Sequence, residues 1–383
     1  MIGFDVSKEW IIVSSPDTPA AEKAAEELSR SMGLLRGRAG LSQKAPPIQS
    51  AAGKGAESGF SIRLGVRDTD REKNGFSWRF GKERLEIEGE SGRGLCNGVF
   101  DFLSALGFRW PGPGEEVLPD AGGAKGAEYG LAESYASRPS GPDSVRRRLV
   151  FRGEPSPLWK PLVLWAARRQ IDTLVFSLRG AALGAEAEGG RLFSKRFAGS
   201  LRKCGSSSEE LLDLAERYAM TVELGGWDLS FLVPRRYFLF HKDMFRMDAG
   251  KRDKRHNFCP TSPESIKILQ EEAEKVFRSH PNIGVYHLWP DSGHEKAWCS
   301  CPTCRAFTLE EQNRIAVNAA AFALAKVNPG ARISFYENPL RKGNIEPRAN
   351  LFRIHCLPGE AGAEAGGWFV EPRTDGKPGR AGG

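Results

Sequence analysis

Three cysteines, Cys299, Cys301 and Cys304, fall within six residues of one another. Soft thiolates at that spacing in one loop suit zinc, which takes four ligands in a tetrahedron. Two residues are candidates for the fourth ligand. Cys259 lies in the loop before the helix that leads to the same strand, and His294 stands five residues before Cys299. Cys259 is preferred, because a distant cysteine would pin two loops together. A closed, thiolate-rich site of this kind is structural rather than catalytic. The bland alternative is a set of reduced thiols with no metal. The chain has seven cysteines, the others being Cys96, Cys204 and Cys356, and an odd count with one tight cluster does not read as a disulfide framework.

Carboxylates make a second group. Asp291 follows the apolar run Val285–Trp289, Glu337 follows Ile333–Tyr336, and Asp228 follows Thr221–Leu224. Acids at the ends of successive strands suit hydrolysis of a glycosidic bond, which needs a proton donor to the leaving oxygen and a second carboxylate as base or nucleophile. Asp291 and Glu337 are the expected catalytic pair and Asp228 an expected substrate contact. Each has the plainer alternative of a loop acid that caps a helix or pairs with arginine. Trp227, Trp289 and Tyr336 lie near the same strand ends, where an aromatic face can stack on a sugar ring or simply fill the core. Arg152 and Arg179 end the first two strands of this region and could clamp a carboxylate such as a uronic acid. His287 and His355 lie within strands, where a hydrogen-bonded core histidine is the commoner outcome; His287 is kept as a candidate substrate contact.

The elements that must position these residues follow from pattern. Asp17-Thr18-Pro19 starts a helix over Ala20–Met32. Residues 36–59 read as a long exposed loop. Strands follow at Phe60–Gly65 and Phe76–Phe80, the latter turning through Gly81-Lys82 into Arg84–Glu88 as a hairpin. Arg93–Leu106 is a helix ended by Gly107. Residues 121–146, rich in Gly, Ala, Ser and charge, read as a linker. The grammar then changes to alternating strands and helices. Strands are expected at Leu149–Arg152, Thr173–Leu178, Thr221–Leu224, Gly284–Trp289, Ile333–Tyr336 and Leu351–His355. Helices are expected at 158–169, 207–219, 263–279 and 309–327. Ser206…Glu209 and Thr308…Glu311 have capping-box spacing, and Ser262-Pro263 is a cap before a first-turn proline. Such β-then-α repetition argues for a parallel sheet flanked by helices, with an incomplete (β/α) barrel of six strands leading. The expected organisation is an α/β domain over 1–120, a linker over 121–146, a barrel over 147–358 and a disordered, glycine-rich tail over 359–383. Gly92-x-Gly94 lacks the spacing and context of a dinucleotide fingerprint.

Two passages carry a resemblance. Leu85–Trp110, with Gly98-Val99-Phe100-Asp101-Phe102-Leu103 and Leu106-Gly107-Phe108-Arg109-Trp110, is similar to the small α/β domain that precedes the barrel in α-glucuronidases and β-hexosaminidases. The second passage runs from His241 through Asn257-Phe258-Cys259-Pro260 and His287-Leu288-Trp289-Pro290-Asp291. It continues through Trp298-Cys299-Ser300-Cys301-Pro302-Thr303-Cys304 to Tyr336-Glu337. It resembles the domain-of-unknown-function 4838 family, which implies a glycoside-hydrolase-like barrel behind that small domain and a carbohydrate partner. Two functions are expected from this. One is hydrolysis of a polysaccharide or a uronic-acid-containing glycan; the other is non-catalytic carbohydrate binding by a barrel remnant held by a metal staple.

Composition narrows the field. With 40% hydrophobic and 27% charged residues the chain can bury a sizeable core, which excludes global disorder. The net charge of +7 is spread among acids, and its densest basic run is Arg146-Arg147-Arg148, so no nucleic-acid partner is expected. No stretch approaches the roughly 18 apolar residues of a membrane span, and no secretory signal is visible, so a cytoplasmic location is expected if Met1 is the true start.

Overall fold

The computed structural model describes residues 2–14, 18–50, 59–67, 74–81, 83–120, 128–131, 134–136, 147–151, 154–291, 297–336, 343–354 and 366–370. In chain order the first elements are β1 (Ile2–Asp5), β2 (Ile11–Ser14), α1 (Pro19–Arg38), β3 (Ile48–Ser50), β4 (Ser61–Val66), β5 (Phe76–Phe80) and β6 (Arg84–Gly89). Then come α2 (Gly92–Ala105), β7 (Glu128–Leu131), β8 (Ser134–Ala136), β9 (Arg147–Phe151), α3 (Trp159–Arg168), β10 (Thr173–Phe176), α4 (Lys195–Lys203), α5 (Ser208–Arg217) and β11 (Thr221–Gly226). The chain continues through β12 (Met247–Asp248), β13 (Lys251–Arg252), α6 (Pro263–Ser279), β14 (Val285–Leu288), α7 (Leu309–Val327), β15 (Arg332–Tyr336), β16 (Leu351–Ile354) and β17 (Gly366–Val370). Two compact units result. Among the described residues no helix is long and apolar enough to cross a membrane.

The first unit comprises Met1–Ser144, Pro157–Asp172 and Glu209–Thr221. Its six-stranded sheet has the order β3-β2-β4-β6-β5-β8, and β1 pairs separately with β7. Alternation decides the buried face: Ile62 and Leu64, Phe76, Trp78 and Phe80, and Leu85 and Ile87 all point into the core. The expected hairpin is present, with Phe80 opposite Leu85. Thr18 caps α1 by accepting from the Ala21 amide, with Pro19 in the first turn. The helix runs six residues past the expected end at Met32, because Leu35 carries the buried stripe onward. Gly94 lets α2 begin against β5, since a Cβ there would lie 2.3 Å from the Gly75 carbonyl oxygen.

Arg93 holds three ends of this unit together. Its buried guanidinium donates to the carbonyls of Ala167 (3.1 Å), Ile171 (3.0 Å) and Tyr218 (3.3 Å) and pairs with Asp172 at 3.4 Å. Those carbonyls lie at the C-terminal ends of α3 and α5, where unpaired acceptors and the helix dipole favour a cation.

The second unit comprises Val145–Ser156, Thr173–Ser208 and Val222–Gly383. Its sheet has the order β16-β15-β14-β11-β10-β9-β17. Strands β9 and β10 are parallel, as are β11, β14, β15 and β16 in turn, so strands consecutive along the barrel region are neighbours in space. This is the expected incomplete TIM-type barrel, and its six strands are those expected to within two residues at each end. Every residue of β10 is buried, as in a sheet covered on both faces. Thr308 and Glu311 form the expected capping box. Pro263 opens α6, while the Ser262 hydroxyl makes no cap bond.

Parts of the expected organisation need correction. Within the stretch read as linker, β7 and β8 are strands paired with β1 and β5; the remainder lies outside the described residues. Within the tail read as disordered, β17 pairs antiparallel with β9. Helix α4 was not expected, because only Phe197, Ala198 and Leu201 of its nine residues are buried and Gly199 interrupts it. Arg93→Lys should lower the stability of the first unit by about 2–4 kcal/mol in denaturant titration, since one ammonium cannot reach the three carbonyls. Exposed Arg84→Lys should shift it by no more than about 0.5 kcal/mol.

Candidate active site and cysteine cluster

Strand β11 ends in Gly225-Gly226, at φ +120° and +125°. A Cβ on Gly225 would lie 2.0 Å from the His287 carbonyl oxygen, so only glycine lets β11 approach β14 this closely. The Gly226 carbonyl accepts from the Trp289 amide (2.8 Å), and the Trp289 carbonyl accepts from Leu229 (3.2 Å). That pairing sets Trp227 and Asp228 beyond the strand end.

Asp228 is buried. Its carboxylate accepts from the Ser177 hydroxyl (2.8 Å), the Leu178 amide (2.8 Å) and Arg179 Nε (3.1 Å). Burial pushes its pKa above the ordinary carboxylate value, and the donors from Ser177, Arg179 and Leu178 oppose that rise without cancelling it. Arg179 is thereby tied to Asp228, although 56% of its side-chain surface remains exposed.

Asp291 sits at the end of β14. Its amide donates to Asn257 Oδ1 (2.9 Å), and its Oδ2 accepts from the Ser230 hydroxyl (2.9 Å) and faces Arg235 at 3.7 Å. Its side chain is 22% exposed. Asp228 and Asp291 therefore leave neighbouring strands β11 and β14 at the same, C-terminal end. Glu337, Arg152, His355 and His294 lie outside the described residues.

The aromatic candidates pack together. Trp289 is buried, donates Nε1–H to Ser334 Oγ (3.0 Å), and meets Trp227 edge-to-face at 4.6 Å. Trp227, Tyr336 and Phe352 are partly buried against Val150, Val175 and Trp289.

Beneath them His287, a candidate from the sequence, joins two residues that pattern reading missed, Glu223 and Arg148. His287 is fully buried, with Nε2 2.6 Å from Glu223 Oε2 and Nδ1 2.5 Å from Ser334 Oγ. Glu223 also accepts from Arg148 Nε (2.7 Å) and Nη2 (3.2 Å). Burial alone raises the Glu223 carboxyl, but the Arg148 charge and the His287 hydrogen bond override it and hold the pKa at about 2. The available signal was a charged residue inside an otherwise apolar strand.

Cys259, Cys299, Cys301 and Cys304 form one buried cluster whose sulfur atoms all lie within 4.8 Å of one another. Cys259 Sγ is 3.8 Å from Cys301 Sγ and 3.6 Å from Cys304 Sγ. A zinc tetrahedron with Zn–S bonds of about 2.3 Å has S···S edges of about 3.8 Å, so the four thiols fit a soft divalent ion. The amides of Met247 (3.2 Å) and Cys301 (3.5 Å) point at Cys299 Sγ, with Arg252 Nη1 at 3.8 Å. These donors favour thiolate. Cys299 and Cys304 donate to Cys259 and draw its pKa down, and holding the proton of that bond pushes Cys299 up to about 11. Buried Gln312 on α7 fastens the loop: its Oε1 accepts from the Cys299 amide (3.1 Å) and its Nε2 donates to the Cys299 and Cys304 carbonyls (both 3.2 Å).

No protein-family model matches the chain, and no curated protein matches it. Solved structures match in fold. The GH20 chitobiase of Flavobacterium johnsoniae is 15% identical with a TM-score of 0.52, over 89% of this chain and 51% of that one. The N-acetyl-β-hexosaminidase of Streptomyces plicatus, solved with Thio-NAglucal, is 13% identical with a TM-score of 0.53, over 90% and 64%. The GH20 β-N-acetylhexosaminidase of Streptomyces coelicolor A3(2) is 13% identical with a TM-score of 0.51, over 92% and 66%. The likeness is one of fold, and the fold is glycoside-hydrolase-like. The chain spans between about half and two thirds of the length of these structures. No family model supports the resemblance to the domain-of-unknown-function 4838 family.

The Glu223 cluster makes a prediction about acid stability. A carboxyl whose folded pKa is depressed stabilises the fold fully above its unfolded value of about 4.5, and that contribution is lost as pH falls toward about 2. Glu223→Gln should cost about 3–5 kcal/mol near neutrality, by leaving Arg148 buried without its counter-charge. It should also flatten the acid limb by up to about 1.4 kcal/mol per pH unit between pH 4.5 and 2. Urea titrations of both proteins across that range test this; parallel acid limbs would contradict it.

Proposed function

We propose that this chain is a carbohydrate-active protein of the glycoside-hydrolase type, acting on O-glycosidic bonds of a polysaccharide or a uronic-acid-containing glycan. The observation that carries this reading is the placement of Asp228 and Asp291 at the C-terminal ends of adjacent strands, the end at which TIM-type barrels hold their chemistry. In this reading Asp291 is a catalytic carboxylate. Ser230 and Arg235 both act on its Oδ2, which fixes the group in one orientation. Glu337, at the end of the next strand, is proposed as its partner. Asp228 orients Arg179, the cation offered to a substrate carboxylate. Trp227 and Tyr336, only partly buried, supply the surface on which a sugar ring stacks. Trp289 and His287, which are buried, act from behind by holding that surface.

Non-catalytic carbohydrate binding is the second reading. The burial of Trp289 and the Asp228–Arg179 ion pair favour it, because both leave fewer groups free for chemistry. Asp291→Asn separates the two. On the catalytic reading hydrolysis of aryl-glycosides or uronosides falls by about 10²–10⁴ while sugar affinity and fold are kept. On the binding reading there is no hydrolysis to lose, and Trp227→Ala weakens retention on a glycan array.

The cysteine cluster completes the proposal as a structural zinc site. Four thiolates leave no open position on the ion, so bound zinc supplies folding free energy and charge balance rather than a reactive water. Protein purified under reducing, chelator-free conditions should carry about one zinc per chain, and Cys301→Ser should lose most of it. Elemental analysis without bound metal would remove this part of the reading.

A further inference from the structure

We propose that the four-cysteine metal site also governs the position of Asp291, with Asn257 as the positioning residue between them. The inference rests on the metal reading above.

One segment supplies both features. The segment between β11 and α6 contributes Ser230, Arg235 and Asn257, the three side chains that hold Asp291, and it also carries Cys259. The segment between β14 and α7 carries Asp291 and, further on, Cys299, Cys301 and Cys304. Asn257 is fully buried and stitches the two loops at the point where they meet. Its Oδ1 accepts from the Asp291 amide (2.9 Å), and its Nδ2 donates to the Ala297 carbonyl (3.1 Å). The Asn257 amide donates to that same carbonyl at 3.3 Å. Asn257 lies two residues before Cys259, and Ala297 two residues before Cys299. A metal bridging Cys259 to Cys299 therefore fixes the separation of the two backbones that Asn257 spans.

The chemistry of the side chain is specific. A carboxamide offers an acceptor oxygen and a two-donor NH2 in one plane; here the oxygen accepts from the Asp291 amide, and Nδ2 donates to the Ala297 carbonyl and, at 3.5 Å, to the Asp291 carbonyl. Leucine has neither, and aspartate lacks the donor. Without the ion, the closure between these loops loses its strongest tie. The Asp291 amide is then held by one hydrogen bond to a residue whose own position has loosened.

The test uses the whole chain labelled with ¹⁵N at aspartate, loaded with zinc or, as a probe, cadmium, and compared with the chelated form under reducing conditions. Amide exchange is read at Asp291 and, as a control in the first unit, at Asp101. Removing the metal should speed exchange at Asp291 by about tenfold or more and leave Asp101 unchanged. Asn257→Ala should still bind one metal per chain, with Asp291 exchanging fast whether or not the metal is present. Equal exchange at Asp291 with and without metal overturns the coupling alone, as does a metal response that persists in Asn257→Ala. Loss of protection at Asp101 as well means that the ion staples the whole molecule, and this too rejects a specific path. Absence of any bound metal removes both this inference and the zinc reading beneath it. If Asn257→Ala does not fold, the wild-type comparison still decides.

Discussion

A single buried carboxylate sets the register of the second unit. Glu223 lies on β11 and bonds Arg148 of β9 and His287 of β14; through His287 it reaches Ser334 of β15. Four strands thus meet at one charge. Such a group is costly to bury, and replacing it with packed aliphatic side chains could leave stability unchanged or raise it. Its value lies in specificity. A shift of any of these strands by one residue would turn its polar member to the other face and strand the remaining charges without partners. TIM-type interiors are ordinarily filled by branched apolar residues, which tolerate more than one packing.

The network also assigns its own protons. Arg148 keeps Glu223 anionic, so His287 Nε2 donates to it. The Trp289 indole can only donate, so Ser334 Oγ accepts from it and passes its own proton to His287 Nδ1. With that arrangement every polar atom named here has a partner. A second proton on the ring would leave the Ser334 hydroxyl hydrogen to find another acceptor. The chain of bonds therefore runs in one direction, from the aromatic floor at the strand ends down to the buried ion pair. It fixes the Trp289 ring, against which Trp227 packs edge-on.

Much of this architecture was legible in the sequence. Six apolar runs separated by capped helices give the strand order directly, because consecutive βα units place sequence neighbours side by side. The thiol spacing announced the cysteine cluster, and the pinning argument chose Cys259. What stayed hidden depends on depth and direction. Glu223 and Arg148 look like ordinary strand charges until the sheet turns one face inward. Asn257 and Gln312 have no spacing of their own, since each acts on backbone groups far away in the chain. Strands β7, β8 and β17 carry too little apolar pattern to stand out, and they exist because another strand offers an edge.

The two acids at the strand ends show how local environment divides chemically similar residues. Asp228 is enclosed and accepts from three donors, including an arginine on a neighbouring loop. Its burial resists the charge that those donors favour. Asp291 is partly open to solvent and touches its cation only at 3.7 Å. A cation at that distance on a partly exposed pair attracts the carboxylate weakly and is screened by salt. Asp228 is therefore the anchored carboxylate, tied to Arg179, and Asp291 is the one that solvent reaches.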